Sequence, residues 1–331
     1  MTSLVTGGAG FIGSHVAEEL SKSGETVISL DDLSGGFEDN VVGENVRFVK
    51  GSILDHTLID SLFQKYHFDS VFHFAAYAAE GLSHFIKRFN YENNLIGSVN
   101  LINAAINYDV KNFVFTSSIA VYGHQQSPMN EDLMPLPADP YGIAKASVER
   151  DLMISAEMFG LNYIIFRPHN VYGERQNIGD RYRNVIGIFM NQVMQDQPMT
   201  IFGSGEQQRA FTHVSDVAPI IARSISYPDA INQIFNIGSD QPCTVNQLAE
   251  TVAHSMGVKP NILRLPARNE VEIAYSSHKK IQQVLGVSTL MPLEDGIQRT
   301  ALWAKKVGAR RSKTFENIEV IKNLPPSWMN P

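Results

Sequence analysis

Tyr141 and Lys145 stand four residues apart in the stretch PYGIAK, behind Pro140. Residues four apart share one face of a helix, so a phenol and an ammonium would lie side by side there. A phenol at its free pKa of about 10 is a poor base at neutral pH. A neighbouring positive charge favours the phenolate and draws that pKa toward the working range, which makes the pair a candidate proton-handling element. The same spacing also suits a ring that packs and an ammonium that reaches water along its stem. The surrounding sequence has to decide.

A second chemical signal lies at the start of the chain. The run SLVT leads into Thr6-Gly7-Gly8-Ala9-Gly10-Phe11-Ile12-Gly13, and then Ile12, Val16 and Leu20 recur at helical spacing as far as a stop at Gly24. Gly7 permits a tight turn, Gly10 lets backbone N–H groups approach a pyrophosphate, and Gly13 lets the helix pack against the strand. Phe11 and Ile12 belong to the same loop, where a helix N-terminus supplies positive partial charge to phosphates. Asp31, about twenty residues on at the end of the next strand, is positioned to accept hydrogen bonds from an adenosine ribose. The pattern predicts dinucleotide binding. A 2′-phosphate would meet a like charge at Asp31, and LDDLSGGFEDN contains no Arg or Lys to neutralise it, so NAD is expected rather than NADP. Ser52, Ile53 and Asp55, on the loop after the third strand, could line the adenine. The positive nicotinamide ring of such a cofactor would add to the pull of Lys145 on Tyr141.

These groups need a scaffold. Apolar strands SLVT (3–6), TVISL (26–30), VRFV (46–49), SVFHF (70–74), NFVFTS (112–117) and YIIF (163–166) alternate with helix-length segments. That alternation predicts a parallel sheet covered on both faces, a Rossmann doubly wound α/β fold. After about residue 170 the texture turns to polar, glycine-containing loops. The expected organisation is an NAD-binding domain over 1–170, which carries Tyr141 and Lys145, and a smaller C-terminal α/β lobe over 171–331, mainly substrate-binding, with some strands and helices returning to the core. IFNIG (234–238) and the helix after it, capped by Thr244, read as one unit of that lobe, and HKKIQQVLG as a helix stopped by Gly286. The tail from Ala309 reads as a terminus draped over the surface.

Composition bounds the alternatives. A net charge of −7 makes nucleic acid an unexpected partner. The lone Cys243 allows no internal disulfide, and no Cys/His cluster has metal-ligand spacing, so no metal is expected and a reducing cytoplasm fits. There is no signal-peptide pattern and no apolar run long enough to cross a bilayer, so no membrane association is expected.

TGGAGFIG, FHFAA after the fourth strand, TSSIAVYG at 116–123 and YGIAK together resemble the extended short-chain dehydrogenase/reductase family, and within it the nucleotide-sugar epimerases of the UDP-glucose 4-epimerase type. The resemblance continues through RPHNVYG (167–173) and GSGEQQRAFTHVSDV (203–217). It implies that Tyr141 is the general base for a sugar hydroxyl, that Lys145 binds the nicotinamide ribose, and that Ser118 shares a short hydrogen bond with the substrate hydroxyl. It sets Phe74, Ala75 and Ala76 along the cofactor and Pro168 over the nicotinamide, with Asp32, Asn93 and Ser117 in the same site. Asn170 and Arg209 match positions that hold the nucleotide diphosphate. Glu270 resembles the acidic residue that holds the nucleotide ribose, its accompanying Arg displaced to Arg268. A homodimer through helices around 90–109 and 141–159 is implied in the same way.

The reaction turns on a few positions. Sugar dehydratases of this kind carry Asp-Glu just before V-Y-G, decarboxylases a Glu, and 3,5-epimerising relatives a Cys. Here Ile119 and Ala120 stand there, and neither can transfer a proton. That fits a 4-epimerase acting by redox alone: transient C4 oxidation, rotation of the 4-keto sugar, and return of the hydride. Glu80, in AAYAAEGLSHF, would bind a hydroxyl or serve as an extra base if it faces the cleft, and otherwise be solvated or paired to Lys87 or Arg88. Ala274 at the size-gate position leaves room for an N-acetyl group. One of Arg175, Arg181 and Arg183 could clamp a uronate carboxylate; otherwise they are surface or interface cations. The expected function is an NAD-dependent 4-epimerase for UDP-glucose and UDP-galactose, with UDP-N-acetylhexosamines in range. Alternatives are a UDP-glucuronate 4-epimerase, a dehydratase or decarboxylase of the same fold, and a non-catalytic NAD-sensing scaffold.

Overall fold

The computed structural model describes residues 1–267, 273–287, 290–311, 315–325 and 328. At its centre lie β1 (Thr2–Thr6), β2 (Thr26–Asp31), β3 (Val46–Lys50), β4 (Ser70–His73), β5 (Asn112–Thr116), β6 (Asn162–Pro168) and a seventh strand, Gln233–Ile237. They form one sheet in the order seventh strand, β6, β5, β4, β1, β2, β3. Every pairing is parallel. Successive residues of a strand point to opposite faces, and the core divides accordingly. Val5, Phe72, Val114 and Ile164 join one apolar cluster with Val16 and Leu20 of the helix Phe11–Lys22, while Leu4, Val71, Phe113 and Ile165 join another with Leu101 and Leu152.

The strand at 233–237 corrects the expectation that it belongs to the smaller lobe. It extends the central sheet, with Ile234 opposite Ile165 and Phe235 opposite Phe166. Its register stacks two buried rings, Phe166 and Phe235, with centroids 5.8 Å apart. The helix that follows, Val245–Met256, does lie outside the sheet. A capping box between Thr244 and Gln247 starts it, and it packs Leu248, Ala249 and Val252 into a third cluster with Phe189, Met199 and Ile297. The helix Lys279–Leu285 ends at Gly286, whose φ of +65° is the left-handed conformation that suits glycine.

The C-terminal segment runs over the surface as expected, but it is anchored. Leu324 is buried, and Phe315, Ile318 and Trp328 pack with Tyr77, Phe85, Phe89 and Tyr182 over Ala79, Leu82 and Ile86. Among the described residues no helix is long and apolar enough to cross a membrane.

Candidate active site

The C-terminal ends of the central strands open into a cavity of about 440 Å³, which starts at the glycine loop. Gly7 has φ +68°, and a Cβ there would lie 2.7 Å from the Ala75 nitrogen, so only glycine lets β1 and β4 approach at this point. A Cβ on Gly13 would strike the Gly7 carbonyl at 2.3 Å, which is the helix-to-strand packing expected of it. Gly10 starts the helix with no side-chain cap, and Gly10, Phe11, Ile12 and Gly13 all line the cavity, where first-turn N–H groups have no partner within the helix. Asp31 accepts from Ala9 N–H (3.1 Å) and Leu33 N–H (2.8 Å). Burial pushes its carboxyl up, and those two N–H groups hold it back.

Asp32, Ser52, Ile53, Phe74, Ala75, Ala76, Asn93, Ser117 and Pro168 line the same cavity. Asp55 does not: its carboxylate caps the helix His56–Tyr66 by accepting from Leu58 N–H at 3.0 Å. Ser34, Gly35 and Gly36 join the wall, unsignalled except by the Ser-Gly-Gly after β2. A backbone cradle at a helix N-terminus, with a buried carboxylate one strand away, fits a dinucleotide.

Tyr141 and Lys145 enter the cavity from the helix Pro140–Phe159, whose first turn is capped by Asp139 accepting from Gly142 N–H at 2.9 Å. Both side chains are buried. Ser118 lies on the turn after β5, accepts from Ala120 N–H at 3.1 Å, and lines the cavity together with Tyr141. Gly142 brings the two elements together, because a Cβ there would lie 2.6 Å from the Ala120 carbonyl oxygen. Lys145 donates to the Thr116 carbonyl at 2.7 Å and lies 5.9 Å from the Tyr141 ring centroid.

The sequence expectation was a phenol drawn down by the ammonium. The chain's own groups act otherwise, because each member loses water. Burial pushes Tyr141 above its ordinary value; the Ser118 hydroxyl opposes this, Glu80 and Asp139 add to it, and Arg183 lowers it. Burial takes Lys145 down to about 7, against the Glu149 carboxylate. Behind them Glu149 accepts from the Ser117 hydroxyl at 2.5 Å and pairs with the buried Arg167.

A second cavity of about 560 Å³ adjoins the first, and Asn170, Tyr182, Arg183 and Asn184 line both. Arg209 and Arg181 line the second; Glu80 lines the first. Asn170 is held by its amide donating to the Ala210 carbonyl at 3.1 Å. Arg175 is a correction, since it lines neither cavity and pairs instead with Glu18 at 2.5 Å on the helix Phe11–Lys22. Arg183 pairs with Asp180 and lies over the Tyr77 ring. Ala274 sits opposite Arg209 in a strand pairing and is not part of either wall. Arg268 and Glu270 lie outside the described residues. Tyr182 and Asn184 were missed by sequence reasoning, although the polar run DRYRN marked the loop that carries them.

The NAD dependent epimerase/dehydratase family matches this chain over residues 3–238. A putative UDP-glucose 4-epimerase of Methanocaldococcus jannaschii is 34% identical, over 91% of this chain and 98% of that protein. Among solved structures, the Thermotoga maritima UDP-glucose 4-epimerase with UDP-glucose superposes with a TM-score of 0.88 at 35% identity, covering 93% of this chain and 99% of that one. The Bacillus cereus UDP-glucuronic acid 4-epimerase, in complex with UDP-glucuronic acid and NAD, superposes with a TM-score of 0.85 at 28% identity, covering 93% of this chain and all (100%) of that one. The match spans the glycine loop, the Ser118 turn, the Tyr141 helix and the seventh strand, and the chain belongs to the NAD dependent epimerase/dehydratase family, with NAD as its cofactor.

Proposed function

We propose that the chain is a 4-epimerase of UDP-hexoses, with UDP-glucose and UDP-galactose as its interconverting pair. The observation that carries this reading is that Ser118, Tyr141 and Lys145 line one cavity, with Ile119 and Ala120 as the next residues of the Ser118 turn. NAD, when bound, supplies a group that takes a hydride from the sugar and can give it back to either face. Tyr141 removes the proton of the sugar 4-hydroxyl and returns it, and Ser118 shares that proton and fixes the hydroxyl's direction. Lys145 holds the cofactor ribose. Asn170 and Arg209 keep the diphosphate in the second cavity while the keto sugar turns in the first; Arg268 and Glu270 are assigned to the nucleoside end. Asp31 and the glycine loop hold the adenosine and pyrophosphate of NAD.

A UDP-glucuronate substrate is the second reading, and Arg183 at the junction of the cavities is what favours it. Its fork already pairs with Asp180, and Glu80 lines the same cavity as Tyr141, where a second carboxylate would be repelled. A neutral hexose therefore fits better. Residues 1–170 serve as the NAD-binding domain and 171–331 mainly as the substrate lobe, in a cytoplasmic homodimer. Exposed Ile143, Ile154, Met158 and Phe159 on the Tyr141 helix are an apolar face suited to a second copy. The test is purified protein incubated with UDP-glucose and, separately, UDP-glucuronate, with the products separated. An equilibrating pair from UDP-glucose without added NADH supports the reading; turnover of UDP-glucuronate alone overturns the substrate assignment, and turnover of neither overturns the enzyme.

A further inference from the structure

We propose that the C-terminal segment, residues 315–325 with Trp328, is a built-in wall of the nucleotide-sugar site, in which Trp328 determines substrate affinity and Glu319 is the anchor that positions it. The proposal rests on the UDP-sugar reading of the second cavity.

Trp328 lines that cavity although it stands more than a hundred residues after Arg209 and Arg181 on the same wall. Its indole meets Tyr182 edge to face, with centroids 5.2 Å apart, and Phe85 likewise at 6.0 Å. Tyr182 lines both cavities. A Cβ on Gly81 would come 3.4 Å from the far edge of the indole, so the ring lies on the backbone of the short helix Glu80–Ser83, whose first residue lines the first cavity. The segment thus touches structures that wall both halves of the site.

The attachment is specific. Both carboxylate oxygens of Glu319 accept from first-turn N–H groups of the helix Lys87–Tyr91, from Arg88 at 2.7 Å and from Phe89 at 2.9 Å. A carboxylate at a helix N-terminus satisfies donors that the helix itself leaves unpaired. The Glu319 and Val320 N–H groups donate to the Phe85 carbonyl at 2.8 and 3.1 Å. Phe315 packs its ring 4.9 Å from that of Phe89 and 5.5 Å from that of Tyr77, and its N–H donates to the Tyr182 hydroxyl. A flat aromatic ring packed against such neighbours suits a sugar or nucleobase face.

The experiment compares the full chain with Trp328→Ala, Glu319→Gln and a chain ending at Arg311, each titrated with NAD and with UDP-glucose. Trp328→Ala and the shortened chain should bind UDP-glucose about tenfold more weakly or worse, with NAD affinity unchanged to within about twofold. Glu319→Gln should show a smaller loss of the same kind, and Glu319→Asp should recover part of it. A second readout uses Trp303→Phe, which leaves Trp328 as the one indole of the two in the sequence; its emission should shift on saturation with UDP-glucose. Tail variants that bind UDP-glucose as the full chain does, variants that lose NAD to the same extent, or an indole that does not respond overturn the proposal. A full chain that binds NAD but no UDP-glucose overturns the UDP-sugar reading itself and this proposal with it.

Discussion

The first cavity is walled largely by what its residues lack, the second by what its residues carry. Around the glycine loop, Gly7, Gly10, Gly13, Gly36, Ala75 and Ala76 bring backbone to the wall, and a Cβ at Gly36 would lie 2.4 Å from the Ala9 carbonyl oxygen. In the second cavity, Arg181, Arg209, Phe211, Gln192 and Trp328 reach inward on long side chains from separate segments. The two should fail in opposite ways: added atoms block the first, and removed atoms empty the second. Ser118 and Tyr141, the residues proposed to move the proton, line the first cavity.

The comparison can be broken in order of expected effect. Tyr141→Phe should lower kcat by about a thousandfold or more while both NAD and UDP-glucose still bind, because the ring stays and only the proton carrier goes; single-turnover kinetics beside two titrations measure this, and near-normal turnover would end the base assignment. Gly7→Val adds atoms where there is no room and forces a branched residue to φ +68°. It should weaken NAD binding by about a hundredfold while UDP binding holds, and equal losses at both sites would erase the contrast between them. Arg209→Ala is the mirror case, with UDP binding about tenfold to a hundredfold weaker and NAD unaffected.

The smallest effect is a pH dependence of stability. His73, beneath the first cavity, is held well below its ordinary value by burial and by Lys145, while burial and His278 take His169, beside Pro168 and Asn170, down to about 3. Both are neutral when folded at mild acidity, whereas the unfolded chain takes up protons below about pH 6.5. Stability should therefore fall as pH drops below about 6.5, because protons bind the unfolded chain in preference to the folded one. A Tm series over that range in His73→Asn and the parent measures it, and parallel curves would show that His73 contributes nothing.

Much of the first cavity was legible because it is local. A strand, a glycine loop and a helix follow one another within 22 residues, and Tyr141, Lys145 and Gly142 occupy one helical turn. Six strands could be read from apolar runs because the sheet buries them on both faces. The seventh was read at the right place and assigned to the wrong body, since IFNIG carries nothing that distinguishes pairing with β6 from pairing within the lobe. Arg175, Arg181 and Arg183 were equivalent candidates in one loop. Only packing separated them, turning Arg175 onto Glu18 and leaving Arg181 and Arg183 at the cavities.

The sequence by itself determined the parallel α/β core, the glycine loop that opens into a helix, the expectation of NAD, and the absence of proton-transfer groups at Ile119 and Ala120. Each follows from residue chemistry at short spacing, where the backbone geometry of a turn or helix leaves few alternatives. Tertiary structure decided that Glu80 faces the cavity, that burial raises Tyr141 and lowers Lys145, and that the tail returns Trp328 to the second cavity. Those depend on solvent exclusion and on contacts between segments far apart in the chain, which no local pattern of residues encodes.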